Sequence, residues 1–427
     1  MNSISQREWP NTSGERNARH SVQLVCLIFA LGMMLSPIGD LLTTRSASGN
    51  ADSVARYSLL VRGCVIAGLV AAMMLSGSLR ASNWRLVLLA VIAIGAGGGN
   101  LALGGMSGKE FIEQVVFILK VFSFFVYVAA LSGLNDRQLA SIERLVVIAL
   151  IAYAAAIIAG ALFSIEMFRS YQDETQIRSG YKGIVYAQNE ASALMVAGLG
   201  YAYSRVLRFG WRPLDAALVL CVIAASMLVG TKAAAIGACA VSVAYCYARH
   251  DVTSATMRAL IGVALLTGIA LTAYLTMPAI SDAVDLSIRY FTYQYDNTAS
   301  ANGLLSIVMS GRDLKFSQVM DEIERADYMP VLTGGFPVVR FLVEIDVPDL
   351  MLCLGLPVFM LYLFALKRGF VVSRRGPLAR FGKLFFAVLL LVACTAGHAL
   401  NSAVVSPFLA MLAVIVQHGD EPLQRSM

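Results

Sequence analysis

The chain has 427 residues, of which 58% are hydrophobic and only 14% are charged, whereas roughly 25% are charged in a typical soluble domain. Its mean hydropathy is +0.71. A soluble domain cannot bury this much apolar surface, so the composition excludes an ordinary soluble enzyme. It favours an all-α, polytopic integral membrane protein. The net charge of +6 is weak evidence for nucleic acid, and we expect no nucleic-acid partner.

Twelve apolar stretches approach the length of about 20 residues that a membrane-spanning helix needs. The last two meet at Gly397-His398-Ala399, where a broken or re-entrant pair is an alternative to two full spans. The seven cysteines lie in apolar stretches without metal-ligand spacing, so we predict neither a metal site nor a disulfide. The predicted spans are 22–39, 59–79, 86–105, 111–134, 145–164, 184–204, 214–230, 232–247, 258–277, 349–366, 384–398 and 400–417.

Lysine and arginine residues indicate the orientation of these helices, because they collect in cytoplasmic loops. With a cytoplasmic N-terminus, every short loop that falls inside is basic, and the 367–383 loop alone carries six lysines and arginines. We therefore predict that both termini are inside. The predicted organisation is a cytoplasmic tail (1–21), nine helices (22–277) with a short outer loop at 165–183, a large outer loop (278–348), three helices (349–417) and a cytoplasmic tail (418–427).

The two predicted outer segments contain eight lysines and arginines, although the positive-inside bias makes arginines less expected there. Arginine forms planar, bidentate pairs with phosphate, so these residues would suit the diphosphate of a lipid carrier. The alternative is that each cation pairs with a local carboxylate, which we favour for Arg325 in the acidic run Asp321–Asp327. The outer cations are Arg169, Arg178, Lys182, Arg289, Arg312, Lys315, Arg325 and Arg340.

Polar residues also mark the start of the predicted sixth helix. Gln188, Asn189 and Glu190 follow the segment that begins at Arg178, and we expect them about one turn below the outer face. Ionisable groups at this depth normally face a cavity or a partner, and a helix start near Gly183 would offer free N–H groups to an anion. Interhelical hydrogen bonding is an equal alternative for Asn189.

Three carboxylates, Glu344, Asp346 and Asp349, precede the predicted tenth helix. We predict Glu344 and Asp346 as candidate general bases and Asp349 as a helix cap. His398 is the one histidine of four that falls on the outer side, and it is predicted to act as a base or to bind sugar or phosphate. A structural histidine is the alternative.

Two cations and a glycine run fall inside predicted spans. Arg62 is expected to snorkel outward, whereas Lys120 is deeper and needs a partner. The stretch Gly95-Ala-Gly-Gly-Gly-Asn100 favours close helix packing.

Together these marks resemble the O-antigen polymerase and O-antigen ligase superfamily. The stretch Arg178…Gly183…Asn189-Glu190-Ala191 is similar to that family's Arg-…-Gly-…-Asn-x-Ala segment, with Gln188 in place of its usual proline. Ser310-Gly311-Arg312 resembles the Ser-Gly-Arg of the family's large outer loop.

Two further segments resemble polymerases more than ligases. The His-Asn pair that often precedes the tenth helix of ligases is replaced by Val343-Glu344-Ile345-Asp346, followed by Gly355-Leu356, as in exopolysaccharide polymerases of the xanthan type. Gly397-His398 is likewise similar to the polymerases.

The resemblance implies a Wzy-type glycosyltransferase with GT-C-like architecture, which uses no cofactor. It would join polyprenyl-diphosphate-linked oligosaccharide repeat units at the periplasmic face of the bacterial inner membrane, in exopolysaccharide or O-antigen biosynthesis. Membrane lipids, a flippase and a chain-length regulator would be its other partners. A ligase that uses a lipid or protein acceptor is the first alternative, and a secondary transporter is the alternative of another class. The predicted diphosphate or sugar contacts are Arg178, Lys182, Asn189, Arg289, Arg312 and Arg340, and the predicted catalytic residues are Glu344, Asp346 and His398.

Overall fold

A computed structural model describes residues 13–49, 56–75, 81–170, 180–276 and 309–419, with isolated residues between 281 and 292. These residues form an all-helical structure without strands; a lone antiparallel bridge joins Arg169 to Tyr181. A short 3-10 helix covers Glu166–Phe168. The α-helices are α1 (Ser13–Gly49), α2 (Tyr57–Leu75), α3 (Ala81–Ala102), α4 (Gly108–Ser132), α5 (Asp136–Leu162), α6 (Gln188–Phe209), α7 (Pro213–Leu228), α8 (Lys232–Arg249), α9 (Val252–Thr276), α10 (Arg312–Arg325), α11 (Met329–Thr333), α12 (Asp346–Leu354), α13 (Leu356–Phe370), α14 (Pro377–Thr395) and α15 (Ser406–His418).

Among the described residues, six helices are long and apolar enough to cross a membrane. Large apolar side chains point away from the bundle, such as Leu60, which is 67% exposed, as expected where lipid is the solvent. The prediction of an all-α membrane protein is confirmed at this level. The six candidate spans are Val22–Ala47, Tyr57–Leu75, Asn83–Ala102, Gly108–Ser132, Asp136–Leu162 and Pro377–Thr395.

The centre of the bundle is α15. Every residue from Asn401 to Val416 is buried, and the helix packs against α4, α6 and α13. Glycines allow neighbouring helices to approach closely: a Cβ added to Gly200 would lie 2.3 Å from the ring of Phe385. A helix that is apolar on all sides belongs in the middle of a bundle, surrounded by others.

The structure interrupts two of the predicted spans. The predicted span at 349–366 is divided into α12 and α13 at Gly355, whose φ is +78°. The predicted span at 400–417 begins only at Ser406, after an irregular segment at 396–405. This agrees with a broken pair of helices at the end of the chain, which was one of the two alternatives that the sequence left open for 384–417. Proline follows each irregular stretch, at Pro357 and Pro407, and proline is readily accepted only in the first turn of a helix.

Residues 309–345, within the predicted large outer loop, contain two helices. The amphipathic run that begins at Arg312 forms α10, and α11 follows it. The chain then returns to the bundle through Gly334-Gly335, where a Cβ on Gly335 would lie 2.5 Å from the carbonyl oxygen of Ala96 in α3. The glycine run of α3, which was predicted to allow close helix packing, thus lies against the loop at Gly334-Gly335.

Gly355 provides a test of this arrangement. Gly355→Ala should lower the free energy of unfolding by about 2–5 kcal/mol, because it adds the cost of a left-handed residue to an overlap. Its Cβ would lie 2.7 Å from the amide nitrogen of Gly334. Thermal unfolding in detergent measures the change. Gly262→Ala, where a Cβ meets nothing within 4 Å, is the control, and equal stability of both variants would contradict the described turn.

Candidate functional site

Three irregular segments, at 180–187, 334–345 and 396–405, meet inside the helical bundle. The amide of Asp346 donates to the carbonyl oxygen of Ala396 at 3.2 Å, and the Ser402 hydroxyl donates to Glu190, beside the first segment, at 3.1 Å. In a membrane protein, non-helical backbone is tolerated only where protein buries it or where it lines a wet cavity. Their meeting point is therefore the candidate functional site.

Asp346 holds the 396–405 segment in place. Its carboxylate accepts the backbone N–H groups of His398, Ala399 and Leu400 at 2.7, 2.7 and 2.8 Å, and the residue is 0% exposed. The three amides lie in an irregular segment and have no helical carbonyl as a partner, so the Asp346 carboxylate supplies the acceptors that they need. Because both oxygens are occupied, the geometry suits Asp346 to a positioning role.

His398 lies at the turn that Asp346 creates. Its φ is +72°, which is a strained conformation for a residue other than glycine. Nδ1 is 3.0 Å from Oδ1 of Asn401. Since an amide oxygen only accepts, Nδ1 is the donor in this contact. The ring is half-buried and so remains accessible to a ligand.

Glu344 faces this turn. A Cβ on Gly397 would lie 2.8 Å from the carbonyl oxygen of Glu344, so only glycine allows the two segments to approach this closely. Glu344 also has a positive φ, +67°. Asp349 supports it by accepting the N–H groups of Val343 and Glu344 at 3.0 and 3.1 Å. Asp349 thus braces the turn before α12 instead of occupying the predicted N-cap position, which is held by Ile345.

The Glu344 carboxylate binds two cations from α10. Lys315 Nζ lies 2.6 Å from Oε1, and a terminal nitrogen of Arg312 lies 3.8 Å from Oε2. Arg312 follows two residues with positive φ, Ser310 and Gly311, which turn the chain so that α10 starts beside the site. Its Nε is buried and has no hydrogen-bond partner in the described part of the chain. One donor of this guanidinium is therefore still unsatisfied.

The other predicted cations lie elsewhere. Arg340 forms a bidentate pair with Glu110 at 2.6 Å for both bonds, and Arg325 pairs with Glu322 at 2.5 Å; both fit the local-carboxylate alternative. Arg289 is exposed, and Arg178 lies outside the described residues.

The remaining two predicted contacts belong to the segment that leads into α6. Burial lowers the pKa of Lys182, whose ammonium lies 5.6 Å from the ring centre of Tyr186. Asn189 is half-buried in the first turn of α6. The structure therefore brings together Arg312, Glu344, Asp346 and His398 from the predicted set, with Asn189 adjacent to Glu190.

A buried polar network that was not predicted from the sequence lies behind the site. Arg62 is 6% exposed and forms an ion pair with Asp40, which also accepts the hydroxyl of Tyr153 at 2.6 Å. The expectation that Arg62 snorkels outward is therefore wrong, because a carboxylate on the neighbouring helix replaces water as its partner. Asp40 directly follows the predicted end of the first span, so a hairpin of the first two helices would have brought it near Arg62.

No family model matches the sequence, and no curated protein matches it either. Within the described residues, no group of three or more His, Cys, Asp or Glu side chains is placed to hold a metal ion.

Removing the Asp346 carboxylate tests its positioning role. Asp346→Ala leaves three N–H groups without acceptors, each worth about 1–3 kcal/mol, so the amides of residues 398–400 should exchange with deuterium much faster. Asp321→Ala, on the exposed surface of α10, is the control and should leave exchange at 398–400 unchanged. Unaltered exchange in Asp346→Ala would show that other bonds hold the segment.

Proposed function

We propose that this protein is a polysaccharide polymerase of the bacterial inner membrane, with twelve spans and both termini in the cytoplasm. It joins polyprenyl-diphosphate-linked oligosaccharide repeat units on the periplasmic side. The observation that carries the proposal is a single residue, Glu344, whose carboxylate contacts Arg312 and Lys315 and whose backbone lies against the turn at Gly397 and His398. The family resemblance of these same segments supports it.

The two cations suit the diphosphate of the donor. Charge-assisted pairs of arginine or lysine with phosphate are among the strongest hydrogen bonds in proteins. A diphosphate carries more negative charge than Glu344, so it would compete for Arg312 and Lys315. The unsatisfied Nε of Arg312 adds a donor that the carboxylate does not use.

Binding of the diphosphate would release Glu344 from its ion pairs and make it available as a base. A hydroxyl oxygen of one lipid-linked unit attacks the anomeric carbon of the other chain, and the hydroxyl proton passes to Glu344. The bond from the anomeric carbon to the phosphate oxygen breaks, and polyprenyl diphosphate leaves with the electron pair. Arg312 and Lys315 stabilise the charge that develops on this leaving group. Asp346 holds His398 beside the reacting groups.

Two other functions remain candidates. A ligase would use the same chemistry with a lipid or protein acceptor. A secondary transporter is favoured by one observation: ionisable groups lie within four helices, with Asp40 and Arg62 buried and Lys120 and Glu190 half-buried, and such groups often mark ion pathways.

Deletion of the gene in its host tests the proposal. We expect single lipid-linked repeat units to accumulate and long polymer to disappear, as seen by gel analysis of extracted glycolipids. Long chains that stay attached to the carrier lipid would instead indicate the ligase. A proton- or sodium-dependent uptake activity that survives Arg312→Ala would indicate the transporter.

Glu344→Gln tests the assignment of the base. The rate of chain extension should fall by about 10²- to 10⁴-fold, the usual contribution of a general base. Binding of inorganic diphosphate should not weaken, because the neutral amide no longer competes for Arg312 and Lys315. Glu324→Gln, on the exposed surface of α10, is the matched control. Normal chain extension by Glu344→Gln at equal protein level would remove Glu344 from the mechanism.

A further inference from the structure

A stretch without charged residues, 328–339, contains α11 and lies between Asp327 and Arg340. Its apolar side chains are not all covered by the bundle, since Met329 and Leu332 of α11 are 55% and 58% exposed. The loop that carries α10 and α11 was predicted to lie outside the membrane, where water would surround these side chains. An exposed apolar surface of this kind usually marks a contact with a partner or a membrane.

The helix α3 measures how deep this stretch lies. A Cβ on Gly335 would lie 2.5 Å from the carbonyl oxygen of Ala96, and the side-chain amide of Asn100 donates to the carbonyl oxygen of Gly335 at 2.8 Å. Ala96 is six residues before the end of the candidate span Asn83–Ala102, which corresponds to about 9 Å along a helix. Because this span is about as long as the hydrocarbon layer is thick, Gly335 lies inside the layer.

The helix α13 gives the same result from the other face of the membrane. A Cβ on Gly355 would lie 2.7 Å from the carbonyl oxygen of Leu332, so the end of α11 contacts the start of α13. Lys367 and Arg368 lie in the last turn of α13, and such charges place that end at the membrane surface. Gly355 is twelve residues from Lys367, or about 18 Å. This is short of the roughly 30 Å of hydrocarbon, so α11 ends within it.

The stretch also meets the condition that hydrocarbon imposes on polar groups, which must be paired inside the protein. The hydroxyl of Thr333 donates to the carbonyl oxygen of Met329 within α11 at 3.0 Å. The N–H of Gly335 donates to the carbonyl oxygen of Cys353 in α12 at 3.0 Å. The irregular residues 335–338 are buried in protein. Helical backbone therefore lies on the exposed side, and irregular backbone lies on the protein side.

We propose that residues 328–339 form a re-entrant loop in one leaflet of the bilayer, in which the exposed side chains of α11 pack against lipid acyl chains. The loop begins after the charged residue Asp327 and ends at Arg340, whose partner Glu110 lies in the first turn of α4. Charged residues thus mark both points where the chain crosses the membrane surface. This inference requires only a membrane-spanning bundle and does not rest on the proposed reaction.

Spin labels in the full chain, reconstituted in phosphatidylcholine vesicles, test the loop. All seven cysteines are free and are first replaced by alanine. A label at Leu332→Cys should be relaxed more strongly by oxygen, which concentrates in hydrocarbon, than by a water-soluble nickel chelate. A label at Asp321→Cys, on the exposed surface of α10, is the matched control and should show the opposite order.

Two results would overturn the re-entrant loop. Stronger relaxation of the label at residue 332 by the chelate would place α11 in water above the membrane. Weak relaxation by both reagents would show that protein, such as a second copy of the chain, covers this face.

A second measurement applies if the chain without cysteines does not fold. Leu332→Trp in the otherwise unchanged chain adds fluorescence to that of its three tryptophans. Lipids with brominated acyl chains should quench this added fluorescence, whereas the fluorescence added by Asp321→Trp should persist. Added fluorescence that persists equally in both variants would contradict immersion of α11.

Discussion

The carboxylate of Asp346 is the constraint on which the rest of the site depends. A membrane protein has no water to satisfy exposed amides, so a chain that leaves helix geometry inside the bundle needs internal acceptors. Asp346 supplies them to three consecutive residues, beginning at His398. This bonding permits the turn between α14 and α15, which brings the backbone of Gly397 against that of Glu344 and the hydroxyl of Ser402 to Glu190. Without it, the two predicted helices would join more directly.

The pairing of Glu344 with Arg312 and Lys315 places one negative charge against two positive charges. An isolated carboxylate or guanidinium would be costly in these surroundings, and each is stabilised by the other. In the proposed mechanism, the same pairing would occupy the base until an anion displaced it. The excess positive charge would attract that anion, so the ion pairs of the structure and the proposed chemistry would use the same three residues.

Much of the fold and part of the site could be predicted from the sequence. Composition and apolar runs indicated a helical membrane protein, and Glu344, Asp346 and His398 were selected because polar groups are unusual where lipid is near. The break at Gly355 was not predicted. The positive φ of Gly355 and its contact with Gly334 depend on how the loop at 334–345 packs against the bundle, and this packing cannot be read from the local sequence. The partner of Arg62 was also missed, although Asp40 lies on the preceding helix, because the pairing depends on how α1 and α2 pack as a hairpin.

The ion pair of Arg62 with Asp40 differs from the ion pairs of Glu344 in a way that bears on function. Arg62 contacts Asp40, Tyr153 donates its hydroxyl to the same carboxylate, and both charged side chains are buried at the meeting of α1 and α2. Such a pair is satisfied inside the protein and needs no ligand. The Glu344 side chain is 33% exposed and that of Lys315 is 48% exposed. An anion from outside can therefore compete for the cations of Glu344, whereas burial protects the pair of Asp40 and Arg62 from the same competition.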